Sequence, residues 1–149
     1  MPTEAQGVQA ARDALLAELR RASGNPELAP DEDGDIRVRF GSALAFVRVL
    51  EDPPLVRVYS PVLASLEGDD RILERLNAIN SQLHLARLIF VHGTIFAVVD
   101  LPSEPLVPVH VVRACTVLGQ LADDLDDLLQ AEFGGRTAFG GYRNKSMKN

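Results

Sequence analysis

The sequence contains one cysteine, Cys115, and no tryptophan among its 149 residues. A single cysteine excludes an intramolecular disulfide framework and a zinc site built from several thiolates. The three histidines, His84, His92 and His110, form neither an HxH nor an HxxxH pair, so their spacing predicts no metal site. A glycine-rich phosphate loop, a GxSxG elbow and a Walker pattern are also missing, and the sequence therefore does not indicate an enzyme of those classes.

Long hydrophobic runs and an excess of basic residues are missing as well. The most apolar stretch, 85–99, is interrupted by Arg87, His92 and Gly93 and is too short to span a bilayer. The N-terminus has no basic segment followed by an apolar one, as a signal peptide would. Acidic residues outnumber basic ones 21 to 15, which argues against binding to nucleic-acid phosphates. We expect a cytoplasmic protein with neither a membrane nor a nucleic-acid partner.

Charge is distributed unevenly along the chain. Residues 133–149 contain no acid and four basic residues, Arg136, Arg143, Lys145 and Lys148, whereas the preceding body has 11 basic and 21 acidic residues. Length and composition predict a single domain over residues 1–133, followed by a flexible basic tail over residues 134–149. Packing of the tail against the acidic body and binding of the tail to a partner are the alternatives to disorder.

Hydrophobic periodicity predicts eight elements, three helices and five strands. The helices cover about 3–21, 69–83 and 108–133, and the strands cover 36–40, 43–50, 55–60, 85–91 and 94–101. Thr3 is the predicted cap of the first helix, and Gly41–Ser42 is the predicted turn of the first hairpin. The order α-β-β-β-α-β-β-α indicates an α+β fold with an antiparallel sheet.

Two aspartate clusters resemble metal motifs. Residues 123–127 match the DDxxD pattern that holds magnesium against a diphosphate, but the chain is too short for those all-helical enzymes and lacks their second motif. An apolar stripe through Leu121, Leu125 and Leu128 is expected to leave the four aspartates on the solvent side. Residues 31–35 have EF-hand spacing without the glycine at position six or the closing glutamate. We therefore expect no metal and no cofactor.

Asn77 and Asn80 are the polar residues of interest in the second predicted helix. At about 100° per residue, Asn80 lies about 60° from the centre of the apolar face and Asn77 about twice as far. A partly buried amide needs hydrogen-bond partners, so Asn80 is predicted to bond the backbone of a neighbouring strand or loop. Both residues are interpreted as structural, with direct ligand contact as the alternative.

Several segments resemble the YbjN family. They are Leu76–Asn80, with the sequence LNAIN, and a later strand ending in Val99–Pro102, with the sequence VDLP. The segments 46–50, 53–58 and 106–108 resemble the actinobacterial branch, which is grouped with type III secretion chaperones as peptide-binding chaperones. The resemblance covers residues 5–133 and has the element order that periodicity predicts.

The resemblance implies a type III secretion chaperone-like fold and a homodimer that binds a client protein or peptide without being an enzyme. Clients of such chaperones lie along apolar patches or extend the edge of the sheet. YbjN-like proteins are also described as sensory-transduction regulators. The remaining alternatives are a small-molecule sensor or an enzyme with a pocket near Asn80 or His110, and a structural subunit of a larger assembly.

The residues that would bind a client are not identified by the sequence, but the strands offer two sets of candidates. The apolar set, which belongs either to the core or to a groove on a sheet face without helices, is Phe46, Val56, Val58, Phe90 and Phe96. The basic set, which is either solvated or faces an acidic client, is Arg37, Arg39, Arg48 and Arg57.

Overall fold

The computed structural model describes residues 4–40 and 43–137, so Thr3, Gly41–Ser42 and the tail from residue 138 onwards lie outside the described residues. The helices are α1 (Glu4–Ser23), α2 (Asp70–Asn80) and α3 (Pro108–Phe133). The strands are β1 (Ile36–Phe40), β2 (Ala43–Leu50), β3 (Leu55–Ala64), β4 (Arg87–Val91), β5 (Thr94–Pro102) and β6 (Arg136–Thr137). No helix in the described ranges is long and apolar enough to cross a bilayer.

The strands form one antiparallel sheet in the order β1-β2-β3-β5-β4, and β6 pairs with the end of β3. This confirms the α+β class and the element order that the sequence predicts. The structure also contains β6, which periodicity could not predict because two residues are too few to show an alternation. Gly135 permits its approach: it has a φ of 84°, and a Cβ atom there would lie 2.4 Å from the carbonyl oxygen of Ala64.

Two predicted elements differ from the structure by more than two residues at one end. Strand β3 continues past Ser60 to Ala64, with an irregular register between Pro61 and Leu63. The predicted strand ends at Ser60, before Pro61. Proline has no N–H to donate, and in the structure Pro61 lies at the irregularity. Helix α2 ends at Asn80 rather than near residue 83, and single turns follow it.

The main core lies between the helices and one face of the sheet. Val56 and Val58 of β3 and Ala97 and Val99 of β5 point into it and are at most 1% exposed. Helix α3 packs across β2, β3 and β5, α1 packs against α3 and β1, and α2 packs against β4. All three helices therefore contribute to the same core, on the same side of the sheet.

Helix α3 buries a different stripe from the one that the spacing predicts. Leu128 is 48% exposed, whereas Ala122, Leu129 and Asp126 are buried. The prediction that all four aspartates face solvent is therefore wrong for Asp126, and burial raises the pKa of its carboxyl group. Apolar residues occupy more than half of the circumference of this helix, so the predicted stripe and the buried stripe overlap. The buried stripe contains the small residues Gly119 and Ala122, which permit close packing on the sheet.

Candidate functional site

The sheet face opposite the helices carries a second apolar cluster. The members of this cluster, which we call the aromatic face, are Leu44, Phe46, Tyr59, Phe96 and Val98. The rings of Phe46 and Tyr59 are stacked with 5.2 Å between their centroids, and Phe96 meets Tyr59 edge-on at 5.9 Å. Such geometry adds to the free energy of burial because the edges and faces of aromatic rings carry complementary partial charges.

The structure divides the apolar candidates between the two sides of the sheet. Val56, Val58 and Phe90 pack in the main core beneath the helices. Phe46 and Phe96 belong to the aromatic face. The sequence could not assign them, because alternation within one strand shows which residues share a side but not which side carries the helices.

Arg48 and Tyr59 both bond the carboxylate of Asp35. Arg48 donates from Nε to Oδ1 at 2.5 Å and from Nη2 to Oδ2 at 2.9 Å, and the Tyr59 hydroxyl donates to Oδ2 at 2.9 Å. The Asp35 side chain is 0% exposed, and its hydrogen bonds with Arg48 raise the pKa of the guanidinium. A buried charge of this kind requires paired, hydrogen-bonded partners.

A second ion-pair cluster crosses three strands on the same side of the sheet. Arg57 donates from Nε and Nη2 to the two carboxylate oxygens of Asp100 at 2.8 and 3.0 Å, and Arg87 donates to Oδ2 at 2.9 Å. The two hydrogen bonds from Arg57, and the one from Arg87, lower the pKa of Asp100. Arg48 and Arg57 are therefore neutralised locally, and the exposed members of the basic set are Arg37 and Arg39.

At one edge of the sheet, the side chain of Asn80 contacts the backbone of β4. Its Nδ2 donates to the carbonyl oxygen of Leu88 at 3.0 Å, and its Oδ1 accepts from the N–H of Leu88 at 2.7 Å. Because β4 ends the strand order, these two groups face away from β5, and the amide takes the place of a neighbouring strand. Asn77 is exposed on α2.

The opposite edge is β1. The loop before it bonds the backbone of Asp35, since the N–H of Asp31 donates to the Asp35 carbonyl at 2.8 Å and Asp31 Oδ1 accepts from the Asp35 N–H at 3.0 Å. Alternate residues of a strand direct their backbone groups the same way, so those of Arg37 and Arg39 face outward from the sheet. No strand in the described part of the chain lies beyond β1.

An open groove with a volume of about 630 Å³ lies between α1, the loop before β1, and strands β1 and β2. Its apolar lining is Leu15, Leu16, Ile36 and Val49, and its charged lining is Arg12, Asp13, Asp33 and Arg48. The ion pair between Arg12 and Glu51, at 3.0 Å, connects α1 to the β2–β3 turn. We call this the α1–β1 groove. Neither Asn80 nor His110 lines it, and periodicity gives no sign of it because it arises from packing between distant segments.

Cys115 and His110, whose side chains could take part in catalysis, lie in different environments. Cys115 is buried in the main core, and burial raises the pKa of its thiol to about 12. His110 is exposed at the start of α3. Within residues 4–40 and 43–137, no group of three or more histidine, cysteine, aspartate or glutamate residues could hold a metal ion.

The sequence matches, over residues 9–141, the family model described as "T3SS (YopN, CesT) and YbjN peptide-binding chaperone 1". A comparison with curated proteins gives no match. Among solved structures, the fold is similar to the ExsC–ExsE complex, with a TM-score of 0.65 and 20% identity over 83% of this chain and 95% of the other.

Two further solved structures have a similar fold. The HopA1–SchA chaperone–effector complex has a TM-score of 0.65 at 12% identity, over 85% of this chain and 99% of the other. The Yersinia pestis type III secretion chaperone SycH, in complex with a fragment of YscM2, has a TM-score of 0.56 at 15% identity, over 75% and 97%. Because the sequence identities are 20% or lower, the similarity to these structures shows a shared fold alone.

Proposed function

The chain belongs to the family of T3SS and YbjN peptide-binding chaperones, and from this we propose that it is a non-enzymatic module that binds an extended segment of a client protein. The fold supports the proposal, because similar structures include one described as a chaperone–effector complex. The observation that carries it is the α1–β1 groove, which lies beside a sheet edge that no described strand covers.

The β1 edge and the groove together suit an extended peptide. A client strand beside β1 bonds the outward-facing backbone groups of Arg37 and Arg39, which supplies affinity with little dependence on sequence. Alternate side chains of that strand point towards the groove, where Leu16 and Val49 offer apolar contacts. Arg12 and Asp33 in the lining allow selection among client residues of either charge.

The β4 edge suits a client less well. The amide of Asn80 already occupies both backbone groups of Leu88, so a strand added there must first displace that side chain. We infer a structural role for Asn80, as a cap on the β4 edge, and no ligand contact for the exposed Asn77. Strand addition is thereby directed to β1.

A substitution in the groove tests the proposed site. Leu16→Glu places a carboxylate among the apolar lining residues, and Leu128→Glu, at an exposed position on α3, is the matched control. A client identified by mass spectrometry from the native host is prepared as a peptide and titrated against the three proteins by calorimetry. We expect the wild type and Leu128→Glu to bind equally and Leu16→Glu to lose at least tenfold in affinity, about 1.4 kcal/mol. Equal binding by all three proteins would contradict the groove as the site.

We also propose a homodimer. The large apolar side chains of Leu73, on α2, and Leu85, between α2 and β4, are 55% and 73% exposed, and burial against a second copy would remove them from water. Light scattering of the wild type should give the mass of two chains, and the double variant Leu73→Glu/Leu85→Glu should give that of one. Val117→Glu, at an exposed position on α3, should leave the dimer intact. A monomeric wild type at micromolar concentration would rule the dimer out.

A further inference from the structure

Arg37 and Arg39 of β1 project from the side of the sheet that faces away from the helices. In the register of β1 with β2, Arg37 lies opposite Phe46 and Arg39 opposite Leu44, and both partners belong to the aromatic face. Directly opposite residues of two paired strands point to the same side. The two arginines are exposed, and because they are two residues apart on one strand, their Cα atoms are about 7 Å apart.

The two arginines have no acidic partner among the described residues. Arg48, Arg57 and Arg87 lie on the same side of the sheet, and each is bound to an aspartate carboxylate. Within residues 4–40 and 43–137, by contrast, neither Arg37 nor Arg39 forms an ion pair or a side-chain hydrogen bond. The β1 edge therefore combines two unpaired guanidinium groups with outward-facing backbone groups that bond no described strand.

We propose that the client segment beside β1 carries carboxylate side chains at two alternate positions, opposite Arg37 and Arg39. This rests on the proposed function, because it concerns the same strand edge, and it adds the chemical class of the client. In an added strand, the residues opposite the two arginines face the side of the sheet without helices. The residue between them lies opposite Val38, which packs in the main core, and faces the helices. The client is therefore acidic on one side and apolar on the other.

The protein already contains the kind of pair that we expect between β1 and the client. Arg57 and Asp100 lie directly opposite each other on β3 and β5, and the guanidinium bonds both carboxylate oxygens, at 2.8 and 3.0 Å. Opposite residues of paired strands have Cβ atoms about 4.5–5.5 Å apart, which brings an arginine within reach of an aspartate or glutamate. A carboxylate opposite Arg37 or Arg39 meets the same geometry. A basic residue there would be repelled, since like charges directly opposite destabilise a strand pair.

An acidic peptide fits this edge better than a uniformly charged polyanion. The loop that leads into β1, residues 27–35, has five acidic residues and no basic one, and the whole chain has a net charge of −6. A nucleic acid carries a phosphate at every nucleotide, so phosphates beyond the two arginines would lie against this loop. A peptide strand can place carboxylates opposite the two arginines alone.

Three synthetic peptides test the acidic preference on the full chain. They share one alternating sequence of apolar and polar residues and differ only at two central alternate positions, which are glutamate, glutamine or lysine. Fluorescence anisotropy of the labelled peptides gives their affinities for the wild type. We expect the glutamate peptide to bind about three- to tenfold more tightly than the glutamine peptide, and the lysine peptide to bind most weakly. Raising the salt concentration should reduce the difference, because the two ion pairs are exposed.

Variants of the two arginines assign the preference to their charges. Arg37→Gln/Arg39→Gln should bind the glutamate and glutamine peptides equally, and Arg37→Glu/Arg39→Glu should bind the lysine peptide most tightly. Arg113→Gln/Arg136→Gln is the matched control, because it removes the same charge at exposed positions on α3 and β6, and it should keep the wild-type order. Circular dichroism checks that each variant is folded. If the glutamate variant does not fold, the glutamine variant decides.

The outcomes separate this inference from the proposed client site. Equal affinities of the three peptides for the wild type, or a wild-type order in the variants of both β1 arginines, would overturn the acidic preference without bearing on the groove. Failure of all three peptides to bind would overturn it as well, because the glutamate peptide contains every feature that it requires. Leu16→Glu should weaken all three peptides alike, and no loss in that variant would contradict the groove but not the acidic preference. Competition by oligothymidylate as strong as that by the glutamate peptide would show binding of any polyanion and overturn the proposal.

Discussion

The side-chain amide of Asn80 bonds both backbone groups of Leu88, donating to the carbonyl at 3.0 Å and accepting from the N–H at 2.7 Å. One side chain thus completes the hydrogen bonding of an edge-strand residue and joins α2 to β4. An edge that exposes unpaired backbone groups is open to pairing with other chains, so this contact also protects the protein from association through β4.

Replacing Asn80 with alanine should destabilise the fold. The change leaves a backbone donor and acceptor without partners, and we expect the free energy of unfolding to fall by about 1–3 kcal/mol. Urea denaturation of the wild type and the variant gives the difference. Asn77→Ala is the control, because Asn77 is exposed, and it should change stability by less than about 0.5 kcal/mol. Equal effects at the two positions would contradict the capping role.

Breaking the ion pair between Arg48 and Asp35 should cost more stability than removing an exposed arginine from a strand. Arg48→Met removes the paired charge and two hydrogen bonds of the buried Asp35 carboxylate, and we expect the free energy of unfolding to fall by about 3–5 kcal/mol. Arg37→Met, at an exposed position on the same side of the sheet, should cost less than about 0.5 kcal/mol. Chemical denaturation compares the two, and a small effect of Arg48→Met would show that Asp35 is not held as a buried charge.

Asp100 should contribute to acid sensitivity. Hydrogen bonds from Arg57, and from Arg87, lower its pKa in the folded state, so its contribution to stability is complete above the unfolded pKa of about 3.9. That contribution is lost as the pH falls through the lower folded pKa. Denaturation midpoints between about pH 2 and pH 6 should therefore fall less steeply for Asp100→Asn than for the wild type. Parallel curves for the two proteins would refute this assignment.

Asp126 should show the opposite behaviour. Burial raises its pKa in the folded state, so folding favours the protonated form, and the carboxylate costs stability as the pH rises above the unfolded pKa. Asp126→Asn should raise the thermal midpoint at pH 7, and the gain should disappear near pH 3. The asparagine oxygen can still accept the Asp127 N–H that Oδ1 accepts at 2.6 Å. The exposed Asp124→Asn is the control, and a destabilised Asp126→Asn would show that the charge is required.

The predictable parts of the fold are those with local signals. The alternation of Ile36, Val38 and Phe40 with arginines defines β1 to the residue, and the bounds of β2 and α3 are also those of the sequence prediction. The angle of Asn80 from the apolar face of α2 predicts a partly buried amide with a backbone partner, but not that the partner is Leu88. The contact between Asn80 and Leu88 depends on the path of the loop between them, and hydrophobic periodicity does not predict that path.

The sequence by itself determined the element order, the α+β class and the resemblance to the peptide-binding chaperone family, because these depend on local periodicity and short motifs. The tertiary structure alone decided which stripe of α3 is buried, that Asp35 pairs with Arg48 and Asp100 with Arg57, and that a groove opens between α1 and β1. These features join residues far apart in the chain. Whether two such residues meet depends on how helices and strands pack, and neither composition nor spacing encodes that packing.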